Sequence, residues 1–519
     1  MKTVGQALTD GLRARGVEVV FGIPGVHTIE LYRGLSGSGI RHVTPRHEQG
    51  AGFMADGYAR TSGKPGVALV ITGPGLTNTL TAMAQARAES VPMLVISGVN
   101  RRASLGQGLG LLHEMPDQAG LVRALCPSFH VTGPEVLDRS LNMAFAAMLG
   151  SRPGPVHIEV PTDVMGMGAV DAAPPVPPHI SPPCPQQIAA ATAMLNRAQR
   201  PLILAGGGAR WADVQALATA LDAPVVQTVN ARGLVCGPLS VAASPSLDAV
   251  RALISGADQV LAIGTELGPT DYDMYVRGGL PDLSGMIRVD ICAAQLARHP
   301  AALTLQSGAA TACAALLAGI KPRAATIGAQ RAADCMGAAR AEIAALSPAM
   351  PHQIALLDAL RDTVPGAIVV GDSTQPVYAG NLLYAADRAG GWFNAATGFG
   401  ALGFAPGAAV GAAIAARQSR IFCLIGDGGL QFSPAELRVA VDEKLDITYL
   451  VWNNAGYGEI ADAMRAAGTE VIGCTPSPLG LRSFAAACDL PYRCILPDVA
   501  ALKDAVAAPG PKLIEIREY

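Results

Sequence analysis

The sequence predicts an α/β protein made of three doubly wound parallel-sheet domains. Three observations carry that reading. At 519 residues the chain exceeds what one hydrophobic core organises, and its length suits about three domains. Half of the residues are apolar and only 15% are charged, so a large buried core is available. Apolar runs of five or six residues also end repeatedly in glycine-rich turns followed by helical stretches. That is the pattern of βαβ units, whose right-handed crossovers set strands in parallel.

In the first block, residues 1–165, a strand at 67–71 opens into Thr72-Gly73-Pro74-Gly75, and a helix leads to the next strand at 92–97. Upstream, Arg46-His47-Glu48-Gln49-Gly50-Ala51 runs into a helical stretch at 55–60. Residues 166–187 contain three proline pairs, from Pro174-Pro175 to Pro182-Pro183, and read as an extended exposed linker. The middle block, 188–323, has a strand at 201–205 running into Gly206-Gly207-Gly208, with further strands near 260–264 and 286–290. This is a nucleotide-fold pattern. The glycine run lacks GxGxxG spacing, however, and Asp222 precedes the next strand instead of ending it, so NAD is not indicated. An alanine-rich helix around 324–351 forms the second seam.

The third block, 345–519, repeats the plan of the first. A strand at 421–425 enters Gly426-Asp427-Gly428-Gly429, and residues 433–444 read as one helix. Ser433 is its expected N-cap, with Glu436 completing a capping box. A strand at 447–452 then enters Asn453-Asn454. Two such similar sheets can face one shared ligand. Ligands bind at the carboxyl ends of parallel strands, so Asp427 and Asn454, 27 residues apart, are expected to meet there. Hard oxygen donors beside glycine amides at a helix N-terminus suit Mg²⁺ bridging a diphosphate.

Composition narrows the partners. A net charge of −3 without a basic cluster gives no reason to expect nucleic acid or a membrane surface. No apolar run is long enough to span a bilayer, and the first residues lack the apolar core of a secretory signal. Ten cysteines without a CxxC pair suit buried thiols in a reducing cytosol, so a cytoplasmic protein is expected.

The spacing from Gly426-Asp427-Gly428 to Asn454 resembles the signature of the thiamine diphosphate enzymes. The resemblance implies that Mg²⁺ is held by Asp427, Asn454 and the backbone carbonyl of Gly456. It implies that Glu48, in an RHE-type motif, contacts the pyrimidine N1′. A buried glutamate there shares a proton with the ring and makes its amino group basic. Further along, Leu402 is the expected support under the bent cofactor, and the Gly400 carbonyl the acceptor for the amino group. Ser373, Thr374, Gln375, Gly428 and Gly429 match the diphosphate loops; Thr72 and Asn78 fall in the turn near the pyrimidine. The domain order is similar to that of the acetolactate synthase and benzoylformate decarboxylase group. In that group the glutamate of one subunit serves the cofactor of another, which implies at least a homodimer and commonly a homotetramer. FAD is possible by this resemblance, but the middle block offers no decisive motif for it.

Several residues set the chain apart from acetolactate synthases. It has Leu112-His113-Glu114 where the synthases have Phe-Gln-Glu, and Glu459 where they have methionine. The paired histidines of pyruvate decarboxylases are missing. With the run at 25–35, these features are similar to 5-guanidino-2-oxopentanoate decarboxylases of arginine catabolism, which release CO₂ and 4-guanidinobutanal. A carboxylate at Glu459 repels a small anionic 2-oxo acid but can pair with a guanidinium several carbons away. His113 is the candidate proton donor, with His27 and Tyr378 as wall residues. The alternative is a carboligase similar to acetolactate synthase, acting on pyruvate or another small 2-oxo acid.

Overall fold

The computed structural model describes residues 2–170, 173–324 and 327–518. Parts of the expected linker (171–172) and of the second seam (325–326) lie outside the described residues. Three six-stranded sheets follow one another along the chain. The first comprises β1 (Val19–Gly22), β2 (Arg41–Val43), β3 (Gly66–Val70), β4 (Met93–Val99), β5 (Ser128–His130) and β6 (Pro155–Pro161). The second comprises β7 (Pro201–Ala205), β8 (Val225–Gln227), β9 (Ser240–Val241), β10 (Gln259–Ile263), β11 (Ile287–Asp290) and β12 (Leu303–Gln306). The third comprises β13 (Ile368–Gly371), β14 (Trp392–Asn394), β15 (Ile421–Gly426), β16 (Ile447–Asn453), β17 (Tyr492–Ile495) and β18 (Lys512–Arg517). Every strand pairing within these sheets is parallel. The central strands are buried along their length, which is why they read as unbroken apolar runs rather than alternating ones.

The outer sheets share one strand order. The first runs β2-β1-β3-β4-β6-β5 and the third β14-β13-β15-β16-β18-β17. The middle sheet runs β12-β11-β10-β7-β8-β9, the doubly wound order of dinucleotide folds. Its glycine run follows β7 at the point where strand order reverses, and Gly208 N donates to Gly264 O at 3.0 Å there.

The helices Glu48–Ser62 and Phe404–Ala415 hold equivalent places before β3 and β15, and they pack on each other across one shared core. Close backbone approach makes that contact. A Cβ at Gly57 would lie 2.0 Å from Ala408 O, and one at Gly411 would lie 1.9 Å from Met54 O. Any side chain at either place would force the two helices apart.

One local expectation fails. Residues 433–444 are not one helix: a short helix Asp427–Leu430 is followed by a 3₁₀ turn Pro434–Glu436 and a helix Leu437–Asp442. No capping box forms. Ser433 Oγ donates to Gly403 O at 2.7 Å, and Glu436 turns its carboxylate to another domain. Long-range acceptors and donors outcompete the local cap. None of the described helices is long and apolar enough to cross a membrane.

Candidate active site

β15 and β16 lie in register, Gly426 against Trp452, so their following residues emerge together at the carboxyl edge of the third sheet. A chain of hydrogen bonds then orients Asn454. Trp452 Nε1, which can only donate, is shared between Glu518 Oε2 at 2.9 Å and Gln375 Oε1 at 3.1 Å. Asn454 Nδ2 donates to the same oxygen at 3.3 Å. This leaves Asn454 Oδ1 facing Asp427 Oδ1 at 3.2 Å and Gly456 O at 2.8 Å. Turning the amide over would bond those two oxygens but would set its own oxygen 3.3 Å from Gln375 Oε1. Three oxygens facing one another repel unless a cation lies among them, and a carboxylate, an amide oxygen and a carbonyl form a donor set for a hard divalent ion. The donors therefore fit Mg²⁺. Burial pushes the Asp427 carboxyl up, against the pull of the surrounding backbone amides, Gly428 first among them.

Removing the orienting acceptor tests this chain of bonds. Gln375→Leu should free the Asn454 amide to turn its NH₂ toward Asp427. Mg²⁺ affinity should then fall about tenfold or more, as is usual when a ligand loses its orienting partner. Calorimetric titration of Mg²⁺ with thiamine diphosphate present reads the change; an unaltered affinity would mean that Gln375 does not orient the ligand.

The other expected members of this edge lie close by. Thr374, 7% exposed, precedes the helix Gln375–Leu383, and its Oγ1 lies against Gly426. The buried Asp372 carboxylate accepts from Ser373 N and Ala405 N and is pushed up to about 6 by burial. It thereby joins the 373–375 loop to the turn carrying Leu402. Leu402 is half-buried, and Gly400 is exposed with φ +79°. Ala401 N donates to Gln85 Oε1 from the first domain at 3.2 Å. Tyr378 is half-buried beside Ser373. Glu459 stands in the first turn of the helix Gly458–Ala466.

A second cluster forms at the carboxyl edge of the first sheet. Glu48 opens its helix after His47, whose Nδ1 accepts from Gln49 N at 3.2 Å. Asn78 Nδ2 donates to Glu48 Oε2 at 3.0 Å, so this amide is engaged in holding Glu48. Burial and then the Glu48 charge push the nearby Tyr32 phenol up. Thr72 is 1% exposed and donates its hydroxyl to Gln118 Oε1 at 2.9 Å; its side chain is committed inside the protein. Gln118 also accepts from Gly73 N and donates to Ser97 and Glu159, making it the hub beneath the turn. His113, at φ +60°, packs its backbone against Gly73. Its ring meets His27 edge to face at 5.4 Å, and the buried Nδ1 of each ring lacks a partner. Burial and then His113 push the His27 imidazole down, which favours its neutral form.

Among the described residues no hydrogen bond joins Glu48 or its neighbours to Asp427 or Asn454; the two clusters are separate half-sites of one chain. Sequence reasoning missed Gln118 and Tyr32, and it read Glu436 as a local capping residue. A further cavity of about 1550 Å³ lies where the three domains meet, lined among others by Gly207, Arg210, Asn230, Asp271, Arg152 and Phe399.

Two half-sites at the carboxyl edges of two sheets with one strand order, each carrying a carboxylate, suit a diphosphate cofactor held with a divalent ion. The chain belongs to the thiamine pyrophosphate enzyme family and binds thiamine diphosphate. Residues 2–121 match the family's N-terminal TPP binding domain, 188–316 its central domain and 372–516 its C-terminal TPP binding domain. The probable 2-ketoarginine decarboxylase AruI of Pseudomonas aeruginosa is 44% identical over 487 residues, covering 91% of this chain and 86% of that protein. The acetolactate synthase isozyme 1 large subunit of Escherichia coli is 29% identical over 529 residues, covering 98% and 92%. An acetolactate synthase large subunit of Parasynechococcus marenigrum is 30% identical over 491 residues, covering 88% and 76%.

Proposed function

We propose that the protein is a thiamine diphosphate- and Mg²⁺-dependent 2-oxo acid decarboxylase whose preferred substrate is 5-guanidino-2-oxopentanoate, the 2-oxo acid of arginine. When bound, the cofactor supplies the nucleophilic carbon and the electron sink that a 2-oxo acid needs to lose CO₂. In this reading Asp427, Asn454 and the Gly456 carbonyl hold Mg²⁺. Gly428 and Gly429 present amides to the diphosphate, and Glu48, held by Asn78, shares a proton with the pyrimidine. His113, with its buried Nδ1 unpartnered beside His27, is the proton donor to the product.

A homodimer brings the Glu48 cluster of one chain onto the Asp427 cluster of the other. Support for it is the exposed apolar residues that border both half-sites. Val26, Ile29 and Leu112 flank His27 and His113, while Phe432 and Ile460 flank the Asp427 edge.

The observation that carries the substrate is the state of Glu459. Three residues past Gly456, its exposed carboxylate has no hydrogen-bond or ion-pair partner among the described residues, and desolvation and then Asp462 push it up. Tyr378 and Tyr275 both sense its charge. A carboxylate open to solvent beside the metal loop, within electrostatic reach of two phenols, suits a guanidinium, which it can grip through two charge-assisted hydrogen bonds. The 44% identity to a probable 2-ketoarginine decarboxylase supports the same assignment.

Glu459→Gln is the test. The apparent Michaelis constant for 5-guanidino-2-oxopentanoate should rise roughly tenfold to a hundredfold, from lost charge-assisted bonds of about 1.5–3 kcal/mol. An uncharged 2-oxo acid of similar length should be unaffected or slightly improved, because a carboxylate near its tail only costs desolvation. Equal losses for both substrates would assign Glu459 to proton transfer. Formation of acetolactate from pyruvate by the parent protein would favour the carboligase alternative.

A further inference from the structure

Glu436 is a buried carboxylate that the half-sites do not use. It is 1% exposed and lies on the short helices that lead out of Gly426-Asp427, yet its partners belong to the first domain. Glu436 Oε1 accepts from His47 N at 2.9 Å, and Arg46 N reaches both carboxylate oxygens at 3.1 and 3.2 Å. Those N–H groups belong to the N-cap of the helix Glu48–Ser62 and to the residue before it. Gly50, in the first turn, makes room: a Cβ there would lie 2.3 Å from Glu436 Oε1. Ion pairs Arg41–Glu443 and Arg46–Asp442 brace the same contact at its exposed margin.

Burying a carboxylate without a directly paired cation is costly. Burial pushes Glu436 up to about 7, against the pull of the Arg46 and His47 amides and of the Arg46 charge. The local fold does not require that cost, since Glu436 caps nothing in its own domain. What the carboxylate does hold is the start of another helix, where unpaired N–H groups and the helix dipole favour an anion. Glu48 is the next residue after the N-cap. Asn78 fixes its side chain and Glu436 fixes the backbone from which that side chain springs.

We propose that Glu436 is a positioning residue: from the diphosphate-binding domain it sets the helix start that aims Glu48 at the cofactor. This inference rests on the reading of Glu48 as the residue that shares a proton with the pyrimidine. A misplacement of about 1 Å at a reacting group can cost up to a hundredfold in rate, so loss of the anchor should be visible without loss of the fold.

The experiment uses protein reconstituted with thiamine diphosphate and Mg²⁺. It compares the parent with Glu436→Gln, Gly50→Ala and Glu48→Gln. Glutamine keeps the shape but loses the charge and one acceptor: with its oxygen at the Oε1 place, its NH₂ faces Arg46 N, which reaches the second oxygen at 3.2 Å in the parent. Alanine at Gly50 displaces the carboxylate while leaving Glu436 in place, and it serves if Glu436→Gln fails to fold. In both variants deuterium exchange at the cofactor C2 should slow roughly tenfold. The backbone amides of residues 46–50 should exchange faster, and the melting temperature and cofactor affinity should stay near those of the parent. Parent-like C2 exchange in both variants, with Glu48→Gln slow, would overturn the positioning role and leave the reading of Glu48 intact. Loss of C2 exchange only together with the melting temperature would overturn it too, by reducing Glu436 to a packing residue. Fast C2 exchange in Glu48→Gln would overturn the reading of Glu48 itself.

Discussion

Glu48→Gln is expected to keep the fold and bind the cofactor while turnover falls on the order of 10²–10⁴-fold, the usual contribution of a positioned proton-transfer group. The geometry makes this substitution a clean one. Asn78 Nδ2 bonds Glu48 Oε2 at 3.0 Å, and a glutamine carbonyl oxygen can accept that bond with the side chain unmoved. What the amide lacks is a proton that it can give to and take back from a ring nitrogen. The measurement is deuterium exchange at the thiazolium C2 of the bound cofactor, quenched and read by NMR. Exchange as fast as in the parent would remove Glu48 from its assigned role. A variant that no longer bound the cofactor would instead give Glu48 a binding role.

How far the sequence is legible depends on how local the determining contacts are. The meeting of Asp427 and Asn454 was readable because only a short helical crossover and one strand lie between them, and parallel register brings the ends of the two strands together. The echo between outer blocks was readable for the same reason, and it appears as one strand order used twice. The middle block showed its nucleotide-type order through its strand spacing, while Gly206-Gly207-Gly208 gave no guide to a ligand.

Glu436 was misread because its sequence neighbourhood offers Ser433 as a capping partner. Its true partners, Arg46 and His47, lie about 390 residues away. The orientation of Asn454 was likewise hidden, since it needs Gln375, 79 residues upstream, and the one-way donor of Trp452. Gln118 stood in plain view four residues after Glu114, but nothing in the sequence links it to Thr72, Ser97 and Glu159. Apolar runs and turns thus disclose the frame and the strand-end ligands. The residues that aim those ligands are disclosed only by tertiary contact.

Asp427→Ala is expected to abolish binding of Mg²⁺ and, with it, of the diphosphate. Asp427 is the one charged donor in its set; the Asn454 amide oxygen and the Gly456 carbonyl are neutral and cannot offset a divalent charge alone. The signature lies in thermal stability, because a ligand that binds only the folded state adds about 2.7 kcal/mol at one hundred times its dissociation constant. The parent should therefore melt higher when thiamine diphosphate and Mg²⁺ are added together, and the variant should show no such rise. Without cofactor the order should level or reverse. Asp427 is 6% exposed, and burial already pushes its carboxyl up, so removing it relieves a desolvation cost and leaves only a small void at the strand end. The cofactor-free variant should then melt at or slightly above the cofactor-free parent. A variant that melted well below the parent before any cofactor was added would make Asp427 a structural acid. One stabilised by cofactor as strongly as the parent would place the metal elsewhere, and the convergence of three oxygens at Asn454 would need another cation to explain it.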